Sequence, residues 1–101
     1  MPARFLRPAE AEVIEAVAYF DEQRDGLGDR FEEDLTASVA FATEFPRSGK
    51  QISKNVRQLP FGRFRYNLIY VIDEDEIVIV AVAHHRRRPG YWRNRLALVR
   101  P

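Results

Sequence analysis

The residues that could do chemistry are concentrated in one short stretch of the sequence. Residues 84–93 contain two adjacent histidines, four arginines, a tyrosine and a tryptophan. Histidine exchanges protons near neutral pH, arginine holds phosphate oxygens through paired donors, and aromatic rings stack on bases. These residue types suffice for metal-free RNA cleavage, in which a 2′-hydroxyl attacks its own phosphate while cations stabilise the developing charge. The same set also suits phosphate binding without catalysis.

Each of these residues also has a purely structural interpretation. His84 and His85 point to opposite faces if the preceding strand continues through them, so at most one faces a given groove. Adjacent histidines form a poor chelate, the sequence has no cysteine, and no third ligand is evident, so we expect neither a metal nor another cofactor. Tyr91 and Trp92 can bury part of their rings against the helices.

Two apolar runs lead into this basic stretch and must position it. Residues 63–72 and 77–83 are rich in β-branched and aromatic residues, which predicts two strands, and the acidic residues 73–76 between them predict an exposed turn. The second run is apolar at consecutive positions, which indicates an interior strand covered on both faces. Alternation in the first run predicts that Arg65 and Asn67 share one face, where they could line a groove. The opposite, packed face then holds Phe64, Tyr66, Leu68 and Tyr70.

The first half of the sequence predicts two helices. Apolar residues at helical spacing indicate one helix over about 8–24 and a second over about 29–45. Gly26 and Gly28 separate them, and Pro46 ends the second. The apolar stripe of the second helix consists of Phe31, Leu35, Ser38, Ala42 and Phe45.

Shorter segments complete the predicted fold. Residues 3–7 suit an edge strand, 47–55 a polar and basic loop, 56–59 a short strand ending at Pro60, and 89–96 a last short helix. The order β-α-α-β-β-β predicts an α+β fold, in which the first strand and a helical hairpin pack on a mainly antiparallel sheet of about four strands. We expect the helices to cover one face of this sheet and the other face to stay open.

Length and charge limit the class of protein. The 101 residues suit a single domain over 1–101, and no extended apolar run or leader is present, so we expect a cytoplasmic protein that does not associate with membranes. Charge is divided unevenly along the chain. Residues 1–45 carry four Lys/Arg and eleven Asp/Glu, a net charge of −7, whereas residues 46–101 carry twelve and four, a net charge of +8. The basic part is therefore available to an anionic partner.

Three segments together resemble the RelE/ParE superfamily, the toxins of bacterial type II toxin–antitoxin systems. They are the helical hairpin over 15–46, the run 63–70, and the run 79–92, in which a strand leads into His, Arg, Pro and Tyr-Trp. They follow one another in order and cover nearly the whole chain. The resemblance implies a β-α-α-β-β-β fold and a toxin that inhibits growth and is associated with plasmid stabilisation. It also implies a hetero-oligomer with a cognate antitoxin that wraps the open groove.

The superfamily divides between two mechanisms. ParE-like members poison DNA gyrase, whereas RelE-like members cleave messenger RNA on the ribosome. RelE-like nucleases usually carry an arginine where Asn67 stands here, and this departure favours the ParE-like mechanism. Arg65 stands where many relatives have a proline, and the added cation keeps a ribosome-dependent endoribonuclease open as the alternative. A non-toxic basic module that binds nucleic acid is a third hypothesis.

Candidate residues follow from these hypotheses. For a nuclease, the candidate catalytic residues are His84, His85, Arg86, Arg88 and Tyr91. For binding a target or a nucleic acid, the candidates are Arg63, Arg65, Asn67, Arg87, Trp92 and Arg93. No metal ligand is among them.

Overall fold

The computed structural model describes residues 1–100 and has the predicted α+β architecture, with two helices packed on one sheet. The helices are α1 (Arg7–Gln23) and α2 (Leu27–Glu44). The strands are β1 (Ala3–Phe5), β2 (Lys50–Ser53), β3 (Val56–Phe61), β4 (Tyr66–Asp73) and β5 (Glu76–His84), and a 3-10 helix (Arg93–Leu98) follows. The sheet thus has five strands rather than about four.

The additional strand is β2, which lies inside the predicted loop 47–55. β2 pairs antiparallel with β3, with Lys50 opposite Gln58. Lys50 and Gln51 are exposed and Ile52 packs against the core, so this edge strand is held mainly by backbone pairing. β3 also continues through Pro60 to Phe61, although the prediction ended it at Pro60. Pairing with β2 stops at Gln58, so Pro60 lies where β3 has a free edge, and a residue without an N–H is tolerated there.

The helical hairpin begins and ends within about two residues of the predicted bounds. Gly26 joins the helices in the left-handed conformation (φ 84°), and the Asp21 carboxylate accepts a hydrogen bond from the Gly28 N–H at 2.8 Å. The predicted stripe of α2 is buried except for Phe45, which is 49% exposed because the helix ends one residue before it. Within residues 1–100, no helix is both long and apolar enough to cross a membrane.

The strand order is β1-β5-β4-β3-β2, so β5 is interior as predicted. β1 is parallel to β5, and β2 to β5 form an antiparallel meander. The acidic turn between β4 and β5 also lies where predicted. Three of its four carboxylates are ion-paired: Arg100 contacts Asp73 and Glu74, and Arg4 contacts Glu76.

Both faces of the sheet are covered, which corrects the expectation of an open face. The helices cover one face, where Phe31 and Leu35 pack on Leu68, Tyr70 and Ile79. Residues 91–99 cover the other face: the buried Trp92 and the half-buried Leu96 and Val99 pack over Val78, Val80 and Ala81. The chain turns back across the sheet at Gly90, which has a φ of 76°. As a result, the 3-10 helix starts at Arg93 rather than at Pro89.

Candidate functional site

The basic end of the molecule is built from two loops that are joined through their backbones. One loop is the β3–β4 turn and the other is the exit from β5, and the His85 N–H donates to the Arg65 carbonyl at 2.9 Å. Arg65 adopts a left-handed conformation (φ 59°) in this turn, so β4 begins at Tyr66 rather than at Arg63. Arg63 and Arg65 are both exposed. The two loops therefore place Arg63 and Arg65 beside the basic residues that follow His84.

A cleft of about 490 Å³ lies between α1 and this end of the sheet. It brings together His84 and Arg87 from the β5 exit and Tyr66 from β4. Aromatic and acidic side chains complete its walls, including Glu12, Glu15, Tyr19, Phe20 and Phe64. In the cleft, a candidate proton-exchanging residue, a candidate cation and aromatic rings meet.

His84 is half-buried at the end of β5 and has defined contacts. Its ring lies 5.2 Å from the ring of Tyr66, edge to face, and its Nδ1 accepts a hydrogen bond from the Arg86 N–H at 3.1 Å. Burial lowers the pKa of His84 below 6.5, and the nearby charges of Arg86, His85 and Arg65 lower it further. His84 is therefore a neutral imidazole near pH 7, with Nδ1 occupied and Nε2 carrying the proton.

Glu12 is a central residue of this region that the sequence analysis did not single out. Its carboxylate accepts hydrogen bonds from the Tyr91 hydroxyl at 2.6 Å and from both Nη atoms of Arg95, at 2.8 and 3.1 Å. It also accepts the Val82 N–H at 3.0 Å, while Arg95 Nη1 donates to the Val80 carbonyl at 3.2 Å. The side chains of Glu12 and Arg95 thus form hydrogen bonds with the backbone of β5 beyond Ile79, where its pairing with β1 ends. The sequence does hold a signal for the burial of Glu12, because helical spacing places it on the same face of α1 as the buried Ala9 and Ala16.

Tyr91 serves this network, and Arg87 covers its ring. The guanidinium carbon of Arg87 lies 3.9 Å from the centroid of the Tyr91 ring. Burial and the hydrogen bond to Glu12 raise the pKa of the Tyr91 hydroxyl well above its usual range. Tyr91 therefore holds its proton at neutral pH and directs it at Glu12.

The remaining predicted site residues are dispersed. Arg86 and Arg88 are exposed beside Arg87, and His85 is exposed in the turn. Arg93 is exposed and donates to the Ser53 hydroxyl at 3.3 Å, away from the cleft. These positions leave the basic side chains around the β5 exit on the surface.

Of the six predicted binding residues, Arg87 alone lines the cleft. Asn67 and Trp92 lie on the face of the sheet away from the helices, against which Trp92 was expected to pack. Asn67 lies opposite Ala83, and since Tyr66 and Leu68 face the helices, strand alternation directs Asn67 to the other side of the sheet. Arg65, in the turn, does not share a strand face with Asn67 as predicted. Trp92 is 4% exposed and belongs to the core beneath residues 91–99, so its ring has no free face for stacking. Among the described residues, no group of His, Asp and Glu side chains could hold a metal ion.

A similar fold occurs among solved structures. A chain of the structure described as "Chromosomal ParDE TA system from P. aeruginosa" superposes with a TM-score of 0.73. The match covers 83% of this chain and 95% of that chain, at 16% sequence identity. At this identity the likeness concerns the fold. The two-layer domain described above is therefore a fold found in toxin–antitoxin systems.

The sequence itself matches a family model. The model is described as "ParE toxin of type II toxin-antitoxin system, parDE", and it matches residues 3–89. Because the match spans most of the chain, this protein belongs to the ParE toxin family of type II toxin–antitoxin systems. No curated protein sequence matches it. The resemblance to the RelE/ParE superfamily is thereby confirmed.

Proposed function

We propose that this protein arrests bacterial growth by inhibiting DNA gyrase, and that a cognate antitoxin neutralises it by covering the cleft and the basic end. The toxin class follows from the family. The choice of gyrase over messenger RNA is supported by the state of two of the groups that RNA cleavage would use. His84 Nδ1 is occupied by the Arg86 N–H, and the Tyr91 hydroxyl is bonded to Glu12. In this arrangement neither residue is free to accept a proton from a 2′-hydroxyl.

A RelE-like endoribonuclease is the second candidate, and one observation favours it. His84, Arg87 and the exposed Glu15 line the same cleft, so a base, a cation and an acid are close together. Cleavage would require the contact between His84 and Arg86 to open on substrate binding. The two candidates therefore predict different fates for messages in the same cells.

Induced expression in bacteria tests the target. We expect growth arrest with filamentation and a DNA-damage response while messages stay intact, and the purified protein should inhibit supercoiling by gyrase. Rapid cleavage of messages at ribosome-occupied positions would instead establish the nuclease. The double variant Arg86→Gln/Arg88→Gln should weaken the arrest. The control Arg47→Gln/Lys50→Gln removes the same charge from exposed positions at the α2–β2 connection, where Arg47 lies near Glu74 at the opposite end of the sheet, and should arrest growth like the parent.

The antitoxin is tested separately. A short reading frame beside the gene, encoding a protein with an acidic and apolar segment, should restore growth when it is co-expressed and should co-purify with this chain. Charge complementarity to the exposed arginines is the reason for expecting acidic residues. Failure of every neighbouring frame to restore growth would contradict this part of the proposal.

A further inference from the structure

The arginines at the basic end form a surface that ion pairing does not explain. We call Arg63, Arg65, Arg86, Arg87 and Arg88 the arginine ridge; all five are exposed. The ion pairs found within residues 1–100 use Arg4, Arg95 and Arg100, and none uses a ridge arginine. Five exposed cations without carboxylate partners repel one another, and an anionic partner would relieve that repulsion.

The backbone beneath the arginine ridge is ordered by hydrogen bonds. The two loops are joined by the bond from His85 to Arg65, and the Arg87 N–H donates to the His84 carbonyl at 3.0 Å. The Arg86 N–H is fixed on His84 Nδ1. Such a support lowers the conformational entropy that is lost when guanidinium groups bind phosphates.

The exposure of the aromatic residues near the arginine ridge indicates which class of nucleic acid the ridge can bind. Single-stranded RNA and DNA are bound mainly by stacking of bases on exposed rings. Here Trp92 is buried, the Tyr91 ring is covered by Arg87, and Tyr66 is half-buried with His84 at its edge. Tyr19 is 55% exposed in the cleft, but it stands on α1 with Glu15, whose carboxylate disfavours a nucleic-acid strand there. The arginine ridge itself therefore offers cations without a stacking ring, a combination that suits contacts to phosphates along a duplex.

We infer that the arginine ridge binds the phosphate backbone of duplex DNA without sequence preference. The inference rests on the proposed function and deepens it, since it names the DNA held by gyrase as a second partner of the toxin beside the enzyme itself. The acidic half of the chain, with a net charge of −7 over residues 1–45, disfavours DNA binding through the helical hairpin and leaves the arginine ridge as the contact surface.

Fluorescence anisotropy with the purified chain and a short labelled duplex tests the inference. We expect a dissociation constant on the order of 10⁻⁶ M at about 50 mM salt, rising steeply toward about 200 mM. The variant Arg86→Gln/Arg88→Gln should reduce the slope of log affinity against log salt by about 2, which is about 1 for each phosphate contact. The matched variant Arg47→Gln/Lys50→Gln has the same net charge, lies away from the arginine ridge and should keep the parent slope.

Three results would overturn the inference: no duplex binding at low salt, equal slopes for the two double variants, or tighter binding of a single-stranded RNA of the same length. A supercoiling assay separates this inference from the proposed function. Inhibition of gyrase without duplex binding would remove the inference and leave the proposed function intact. Duplex binding through the arginine ridge without any effect on gyrase would support the inference and remove the proposed target.

Discussion

At the scale of single residues, the charge of His84 depends on its surroundings. Its position against Tyr66 and among Arg86, His85 and Arg65 disfavours the imidazolium. The neutral form also fits the hydrogen bond that Nδ1 accepts. The same neighbours that would bind an anionic partner thus keep His84 uncharged until that partner arrives.

The first prediction concerns this titration. Since the pKa of His84 is lower in the folded chain than in the unfolded chain, the unfolded chain binds the proton more tightly, and stability should fall as the pH drops below about 6.5. NMR titration should find the His84 midpoint below 6.5. Arg86→Gln should raise this midpoint, because one of the opposing charges is removed. An unchanged midpoint in Arg86→Gln would contradict the contribution of the Arg86 charge to the lowered pKa.

Glu12 gives the second prediction. Its side chain and that of Arg95 are each 16% exposed, and its removal leaves Arg95, Tyr91 and the Val82 N–H without their acceptor. Glu12→Ala should therefore lower the free energy of unfolding by about 3 kcal/mol, at the lower end of the cost of breaking a buried ion pair. Urea denaturation measures the loss. Glu15→Ala, one turn away and exposed, is the matched control and should stay within about 0.5 kcal/mol of the parent.

At the scale of elements, the β3–β4 turn depends on close packing against α2. Gly62 has a φ of 61°, and a Cβ at this position would run into the Asp34 carboxylate. The conformation of this turn also sets the positions of Arg63 and Arg65. A larger residue at Gly62 should therefore disturb both the packing and the arginine ridge.

Gly62→Ala tests this arrangement against a natural control. Gly26 also has a left-handed conformation, but a Cβ there would meet no atom within 4 Å. Gly26→Ala should cost only the conformational term, about 1 to 2 kcal/mol, and Gly62→Ala should cost clearly more. Thermal and urea unfolding of both variants measure the difference. Equal losses would show that the contact with Asp34 is absorbed by a shift of that side chain.

Elements with their own apolar pattern could be predicted from the sequence, and elements defined by distant partners could not. The helices and β5 carry strong periodic or continuous apolar runs. β2 exists because its backbone pairs with β3, and its residues Lys50 and Gln51 give no strand signal. Arg65 was assigned to a strand by alternation, but the tight connection to Phe61 required a turn there. Glu12 was not singled out from the sequence, since its partners lie about 80 residues further along the chain.

At the scale of the whole molecule, the sheet has a core on each face. Residues 91–99 cover one of these cores. The family match ends at residue 89, just before this segment. Trp92 is the largest side chain of that segment and is almost fully buried. The segment is therefore an integral part of the domain.

Trp92→Ala provides the corresponding prediction. Removing a buried aromatic side chain typically costs about 3 to 5 kcal/mol, and we expect a loss in this range with an unchanged dependence on urea concentration. Leu98→Ala is the control, because Leu98 is 48% exposed in the same segment. A loss of less than about 1 kcal/mol for Trp92→Ala would mean that the segment leaves the sheet readily.

The pairing of β1 with β5 brings distant parts of the chain side by side. Arg4 Nη2 donates to the Val99 carbonyl at 2.9 Å and also contacts Glu76. A short linker between these segments, with new ends opened in the exposed turn at Lys54 and Asn55, would give a circularly permuted chain. We expect this chain to keep its strand pairings and its arginine ridge, because the new ends lie between β2 and β3 and outside both strands. We therefore expect that a linker can join the segments around Arg4 and Val99, because they lie side by side and away from the arginine ridge.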